Sequence, residues 1–202
     1  MYNNSVVSKS RLTELYNSGH SMAEIAKTLN CSQNKIVYWM NKYQVKKRSR
    51  REATYVKRNP NGDPFLIKED LTKEEMFLLG LGIGIYWGKG EKVSVNAIRV
   101  ANTDPNIIKT FIKFLLEICQ LERRKLSYSI VCFNDSDPDE AKIHWAEKLR
   151  ISEEKFGRIV QIPTQGKGSY KRKSQFGVCT LAVSNPKLKS WIMEQIKKAW
   201  IV

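Results

Sequence analysis

The chain has 202 residues, 42% of them hydrophobic, including five Trp, seven Phe and eight Tyr, which is enough for one large core or two small ones and excludes wholesale disorder. Its 35 Lys and Arg outweigh 20 Asp and Glu to leave a net charge of +15, so a polyanion is the leading partner. The longest uncharged apolar run, Met76 to Gly88, has 13 residues, short of the roughly 20 a bilayer-spanning helix needs, and no signal-peptide pattern opens the chain. Cys31, Cys119, Cys132 and Cys179 make no CxxC pair and have no close His, so reduced thiols in a cytoplasmic, nucleoid-associated protein are expected, with no zinc site and no membrane partner.

The charge is clustered. Residues 1 to 58 carry 12 basic and 3 acidic groups, whereas residues 59 to 202 carry 23 and 17. Residues 8 to 45 read as three short helices. Leu12, Leu15 and Tyr16 give the first an apolar stripe that Gly19 ends. Ser21-Met22-Ala23-Glu24 is a capping box for a second helix carrying Ile25, Ala26 and Leu29. Asn30 suits the left-handed corner that follows, and Ser32 caps a third helix whose Ile36, Trp39 and Met40 return to the core.

This spacing resembles the helix-turn-helix of bacterial regulators and recombinases, with Ile25, Ala26, Leu29, Cys31, Ile36 and Trp39 on its apolar positions and Asn30 where glycine is preferred. The resemblance implies that the third helix enters the major groove, with Ser32, Gln33, Asn34, Val37 and Tyr38 toward the bases and Lys35 and Lys42 nearer the phosphates. Next comes Lys46-Lys47-Arg48-Ser49-Arg50-Arg51, read as an extended basic arm along the backbone or in a minor groove, or else as a solvated linker. The Pro- and Gly-bearing stretch Asn59 to Pro64 marks a boundary. Three parts are therefore expected: residues 1–51, helix-turn-helix with basic arm; 52–70, linker; 71–202, a second domain.

In the second domain, Thr72-Lys73-Glu74-Glu75 caps a helix in which Gly80, Gly84 and Gly88 share one face. Each glycine costs about 1 kcal/mol of helix propensity against Ala, so the stripe calls for close approach by another helix. A phosphate-binding glycine loop does not fit, because helical capping signals precede the glycines and no GK[ST] occurs. Residues Ile83 to Gly90 resemble the last eight positions of the LAGLIDADG motif of homing endonucleases and related regulators.

That resemblance implies an αββαββα fold over residues 71–202, so the chain as a whole is expected to be α+β. Strands are expected around Val93 to Val100, Leu126 to Phe133, Arg158 to Ile162 and Phe176 to Val183. Helices are expected after Asp104, from Pro138 to Leu149 and after Asn185. The resemblance further implies a saddle-shaped sheet on DNA, a homodimer paired through Gly80, Gly84 and Gly88, and a loop of Lys167, Lys171, Arg172 and Lys173 reaching the groove or backbone.

In that family's endonucleases an acid before the final motif glycine holds divalent metal; here the position is Lys89, which cannot ligate Mg²⁺. Glu91 is the one nearby substitute. The Asp135, Asp137, Asp139 and Glu140 cluster reads as a helix N-terminus, and His20 and His144 as structural or solvent-facing. The expected function is sequence-specific binding of double-stranded DNA, as a transcriptional regulator or a decayed homing endonuclease, without cofactor or metal site. The alternative is an active Mg²⁺-dependent endonuclease using Glu91.

Overall fold

The computed structural model describes residues 6–163 and 174–199. Among them, eight α-helices and a four-stranded sheet make a mixed α+β chain. It divides into two compact units, Met1–Asp63 and Pro64–Val202.

The first unit is helical: α1 (Lys9–Asn17), α2 (Met22–Thr28), α3 (Gln33–Lys42) and α4 (Arg50–Arg58). Gly19 takes φ +103° at the end of α1, a conformation L side chains rarely adopt. At α2 the Ser21 hydroxyl accepts from the Glu24 amide at 3.2 Å, while the Ser21 amide donates to the Glu24 carboxylate at 2.7 Å. Asn30 adopts φ +46° at the corner between α2 and α3, and the Cys31 amide donates to the Ala26 carbonyl at 2.9 Å to close it. Leu12, Ile25, Ile36 and Met40 are wholly buried and form the centre of this unit's core, with Trp39 and Tyr43 packed at its edge.

The extended arm expected through Arg51 ends earlier, because α4 starts at Arg50. Ser49 caps it, accepting from the Glu52 amide at 3.2 Å while the Glu52 carboxylate accepts from the Ser49 amide at 2.6 Å. That reciprocal cap satisfies amides an extended chain would leave to water, and it starts a helix across charges that repel one another.

The second unit runs α5 (Lys73–Lys89), β1 (Ala97–Asn102), α6 (Pro105–Lys113, continued by a π-helical turn over Phe114–Ile118), β2 (Ser127–Phe133), α7 (Pro138–Leu149), β3 (Phe156–Ile162), β4 (Val178–Ser184) and α8 (Pro186–Lys198). The sheet order is β1-β4-β2-β3. β4 pairs antiparallel with both neighbours, and β2 pairs parallel with β3 because α7 carries the chain back across the sheet. Alternate residues Tyr128, Ile130 and Cys132 of β2, and Cys179, Leu181 and Val183 of β4, are buried in the core.

The order is thus αβαβαββα, and the αββαββα expectation is corrected. The expected hairpin around Val93 and Val95 is missing a strand: both residues are exposed, and only Gly90 bridges to Val100. The reason lies in the turn-forming side chains between them. Glu91 accepts from the Ser94 amide at 2.7 Å, and the Ser94 hydroxyl accepts from the Ala97 amide at 3.0 Å, which diverts the backbone from a ladder.

Phe111 and Phe114, both fully buried, stack between Tyr86 of α5 and Trp191 of α8, with ring centroids 5.6 to 6.4 Å apart along the row. Gly82 makes this possible. A Cβ there would lie on the Phe114 ring and only 2.7 Å from its Cβ, so α5 meets the π-helical turn through bare backbone.

Candidate nucleic-acid interface

α3 presents two unlike faces. Ile36 and Met40 are fully buried, which fixes the helix, while Ser32, Gln33, Asn34 and Tyr38 are exposed. Ser32 accepts from the Lys35 amide at 3.3 Å, so the helix begins directly beneath Gln33 and Asn34. Tyr38, 57% exposed, meets Trp39 edge-on at 5.3 Å; Trp39 in turn stacks on Tyr43 at 5.2 Å, and the Tyr43 hydroxyl donates to the Val7 carbonyl at 2.7 Å. The Lys42 ammonium lies over Trp39, 4.7 Å from the ring centroid. An aromatic row anchored at one end in the core thereby stiffens the exposed polar side of α3. Such a surface offers amide groups for base edges, an aromatic body for thymine methyls and cations for phosphates.

The basic residues after α3 divide by position. Lys46, Lys47, Arg50 and Arg51 are exposed. Arg48 turns inward: its guanidinium stacks 4.1 Å over Tyr16 and donates to the Gly19 and His20 carbonyls at 3.2 and 3.3 Å, while its amide donates to the Tyr16 hydroxyl at 2.7 Å. Arg48 therefore joins the segment before α4 to the corner between α1 and α2. His20 also belongs to this corner, its Nδ1 lying 3.1 Å from the Leu15 carbonyl oxygen. Lys167, Lys171, Arg172 and Lys173 lie outside the described residues.

α5 shows an exposed face of different character. Phe77, Leu81 and Trp87 are 69, 40 and 47% exposed, and a Cβ added at Gly80, Gly84 or Gly88 would meet nothing within 4 Å. Among the described residues the stripe is therefore open, and a separate close approach, within the second unit, is made at Gly82.

The acidic candidates are tied into local structure. Glu91 binds the Ser94 amide, and that hydrogen bond is the main influence holding its carboxyl below the usual range, with Lys189 and Arg99 acting in the same direction. Lys189, 4% exposed, donates to the Tyr86 hydroxyl and, at 2.6 Å, to the Glu91 carbonyl. Burial pushes the Tyr86 phenol up to about 12, and it draws the Lys189 ammonium down from its ordinary value. Asp137 accepts from the Asp139 and Glu140 amides at 2.8 and 3.3 Å and so caps α7. His144 stacks on Phe176 at 3.8 Å. Among the described residues, no three His, Cys, Asp or Glu side chains gather as a metal-holding group.

Residues 9–51 match a family described as "Putative ATPase subunit of terminase (gpP-like)". The match spans α1 to α3 and the basic segment behind them. No curated protein and no solved structure matches the chain. The match to a terminase family, and not to LAGLIDADG proteins, overturns the LAGLIDADG resemblance, and with it the homing-endonuclease lineage drawn from Ile83 to Gly90. The sheet agrees with that correction, since it lacks the first hairpin and contains a parallel pair. No helix among the described residues is long and apolar enough to cross a membrane.

Proposed function

We propose that this protein binds double-stranded DNA at preferred sequences through α3, as the DNA-recognition component of a terminase-type assembly, and that it does so as a homodimer. The carrying observation is that Gln33 and Asn34, at the start of α3, and Tyr38 are exposed while the same helix is fixed by buried Ile36 and Met40. Gln and Asn suit bidentate hydrogen bonding to adenine in the major groove, and the tight corner at Asn30 presents α3 as the second helix of a helix-turn-helix. The terminase family match falls on these same helices, which supports a DNA-packaging role over a regulatory one. No GK[ST] occurs in the sequence, so the ATPase part of that family's description is not carried over.

The homodimer reading rests on α5. An apolar face of Phe77, Leu81 and Trp87 interleaved with three glycines lets a second copy approach to backbone distance, and pairing two copies doubles the DNA contacts. Binding by this mechanism needs neither metal nor cofactor and persists in chelator.

Selection from a pool of randomised duplexes tests the reading. Wild type enriches a defined site, and Gln33→Ala with Asn34→Ala relaxes it by about 1 to 3 kcal/mol of discrimination while leaving general DNA affinity. Identical preferences for wild type and the double variant refute recognition by α3. Mg²⁺-dependent cutting of the selected site by wild type refutes a binding-only role.

A further inference from the structure

We propose that α4 is a second DNA-contacting element, a rigid basic face that binds the phosphate backbone beside the site read by α3. This rests on the DNA-binding reading above but uses different residues. At 100° per residue, Lys57, Arg50, Thr54, Arg58 and Arg51 fall within an arc of about 120°. Glu52, Val56 and Ala53 take the opposite side, and all four cations of the arc are exposed. None of the four is held in an ion pair among the described residues.

Two features show that this face exists for something outside the unit. First, α4 has no buried residue and gives none to the core around Leu12, Ile25, Ile36 and Met40, so the fold does not need it. Nine residues without a buried face make a marginal helix in water, and four like charges on one side weaken it further. Second, the chain nonetheless fixes the helix at both ends. The Ser49–Glu52 box starts it, and Tyr55 donates to Asp63 at 2.8 Å beyond its end. Arg48 anchors the residue before the cap, and Val56 sits against Gly19, where an added Cβ would lie 3.2 Å from it.

A polyanion removes the like-charge repulsion that weakens the helix. From Arg50 to Arg58 the axis rises about 12 Å, comparable with the axial rise of three to four base pairs, so the four cations can follow successive phosphates of one strand. The contact carries no sequence information; it fixes position and contributes affinity. The amides of residues 50–58 therefore gain protection when DNA binds.

The experiment is a salt series on the full-length protein with a duplex carrying the selected site and a scrambled one. Lys57→Gln/Arg58→Gln should flatten the slope of log affinity against log salt by nearly two on both duplexes, about 0.9 for each lost phosphate contact, with sequence preference unchanged. Thr54→Pro, which breaks α4 without touching the core, should flatten it by a similar amount. Amide exchange over residues 50–58 should slow on DNA. A wild-type slope in either variant, or unchanged exchange, overturns the proposal: the arginines would then act from a flexible arm or not at all. If the Gln33/Asn34 variant keeps wild-type preference while Lys57→Gln/Arg58→Gln flattens the slope, recognition by α3 fails and α4 stands. Absence of any salt-dependent binding by wild type overturns both.

Discussion

α4 and α5 both start at a reciprocal Ser or Thr and Glu cap, and both turn one face to solvent, yet the faces are opposite in chemistry. The exposed side of α5 is apolar and glycine-studded, while its other side buries Leu78, Gly82, Ile83 and Tyr86. The exposed side of α4 is cationic, and its other side has no fully buried residue, only half-buried Val56 against Gly19. One helix is held by its core and leaves a surface that water disfavours. The other is held by its ends and leaves a surface that repels itself. Each face is thus incomplete in its own currency, hydrophobic in α5 and electrostatic in α4, and each answers to a different class of partner.

The contrast can be broken most strongly at the glycines of α5. Gly82→Ala places a methyl against Phe114 and should cost about 2 to 3 kcal/mol in urea unfolding of the second unit. Gly84→Ala has open space and should gain up to about 1 kcal/mol from helix propensity. Equal losses at both positions would mean that α5 presents a different face to the sheet. Next in size is self-association. Gly84→Leu should weaken it at least tenfold, about 1.4 kcal/mol, as read by sedimentation, without lowering the unfolding midpoint of the monomer. Wild type sedimenting as a monomer both free and on DNA would remove the partner assigned to this face.

How much of this was visible beforehand differs between the two helices. The α5 cap could be read from Thr72-x-x-Glu75, just as Asn30 marks the corner between α2 and α3 by its tolerance of positive φ. The α4 cap has the same form, Ser49-x-x-Glu52, but it sits inside a run of five cations in six residues, and charge density outweighed the capping signal. Within α5, the four-residue period marks Gly80, Gly84 and Gly88 as one face. The further close approach at Gly82 depends on Phe114, 32 residues later, and no local pattern reports that. Val93 and Val95 misled for a similar reason: their β propensity was overruled by the Glu91 and Ser94 side chains beside them. The four-cation loop at residues 167–173 lies outside the described residues.

Smaller effects sharpen the comparison at the caps. Ser49→Ala should cost about 1 kcal/mol of local helix stability, seen as faster amide exchange over residues 50–58, while global unfolding stays unchanged because α4 adds nothing to the core. A fall in the global midpoint would mean that α4 is structural. The least effect is that of pH. Hydrogen bonds from the Ser49 amide and then the Ser49 hydroxyl hold the Glu52 carboxyl below its ordinary value of 4.5. For Glu75 the Lys68 ammonium acts first, then the Thr72 amide. A carboxyl lowered in the folded state stabilises fully above its unfolded value and loses that contribution as pH falls through the folded one. Both helices should therefore keep a constant stability between pH 8 and 5, and as pH falls through the lowered carboxyl values the protection of α4 relative to free-chain exchange should drop while α5, held by its buried side, stays protected.

The sheet order has a consequence for how the chain is made. β1 ends at Asn102, and its ladder partner β4 runs from Val178 to Ser184, so about 80 residues must leave the ribosome before that ladder can close. At synthesis rates of roughly 5 to 20 residues per second the wait is on the order of 4 to 16 s. The first unit, whose contacts are local, has time to fold during it. Throughout that interval Ile98 and Val100, fully buried in the finished protein, stay uncovered on an unpaired strand. That interval, more than the finished surface, is where the nascent protein is open to chaperones and to aggregation.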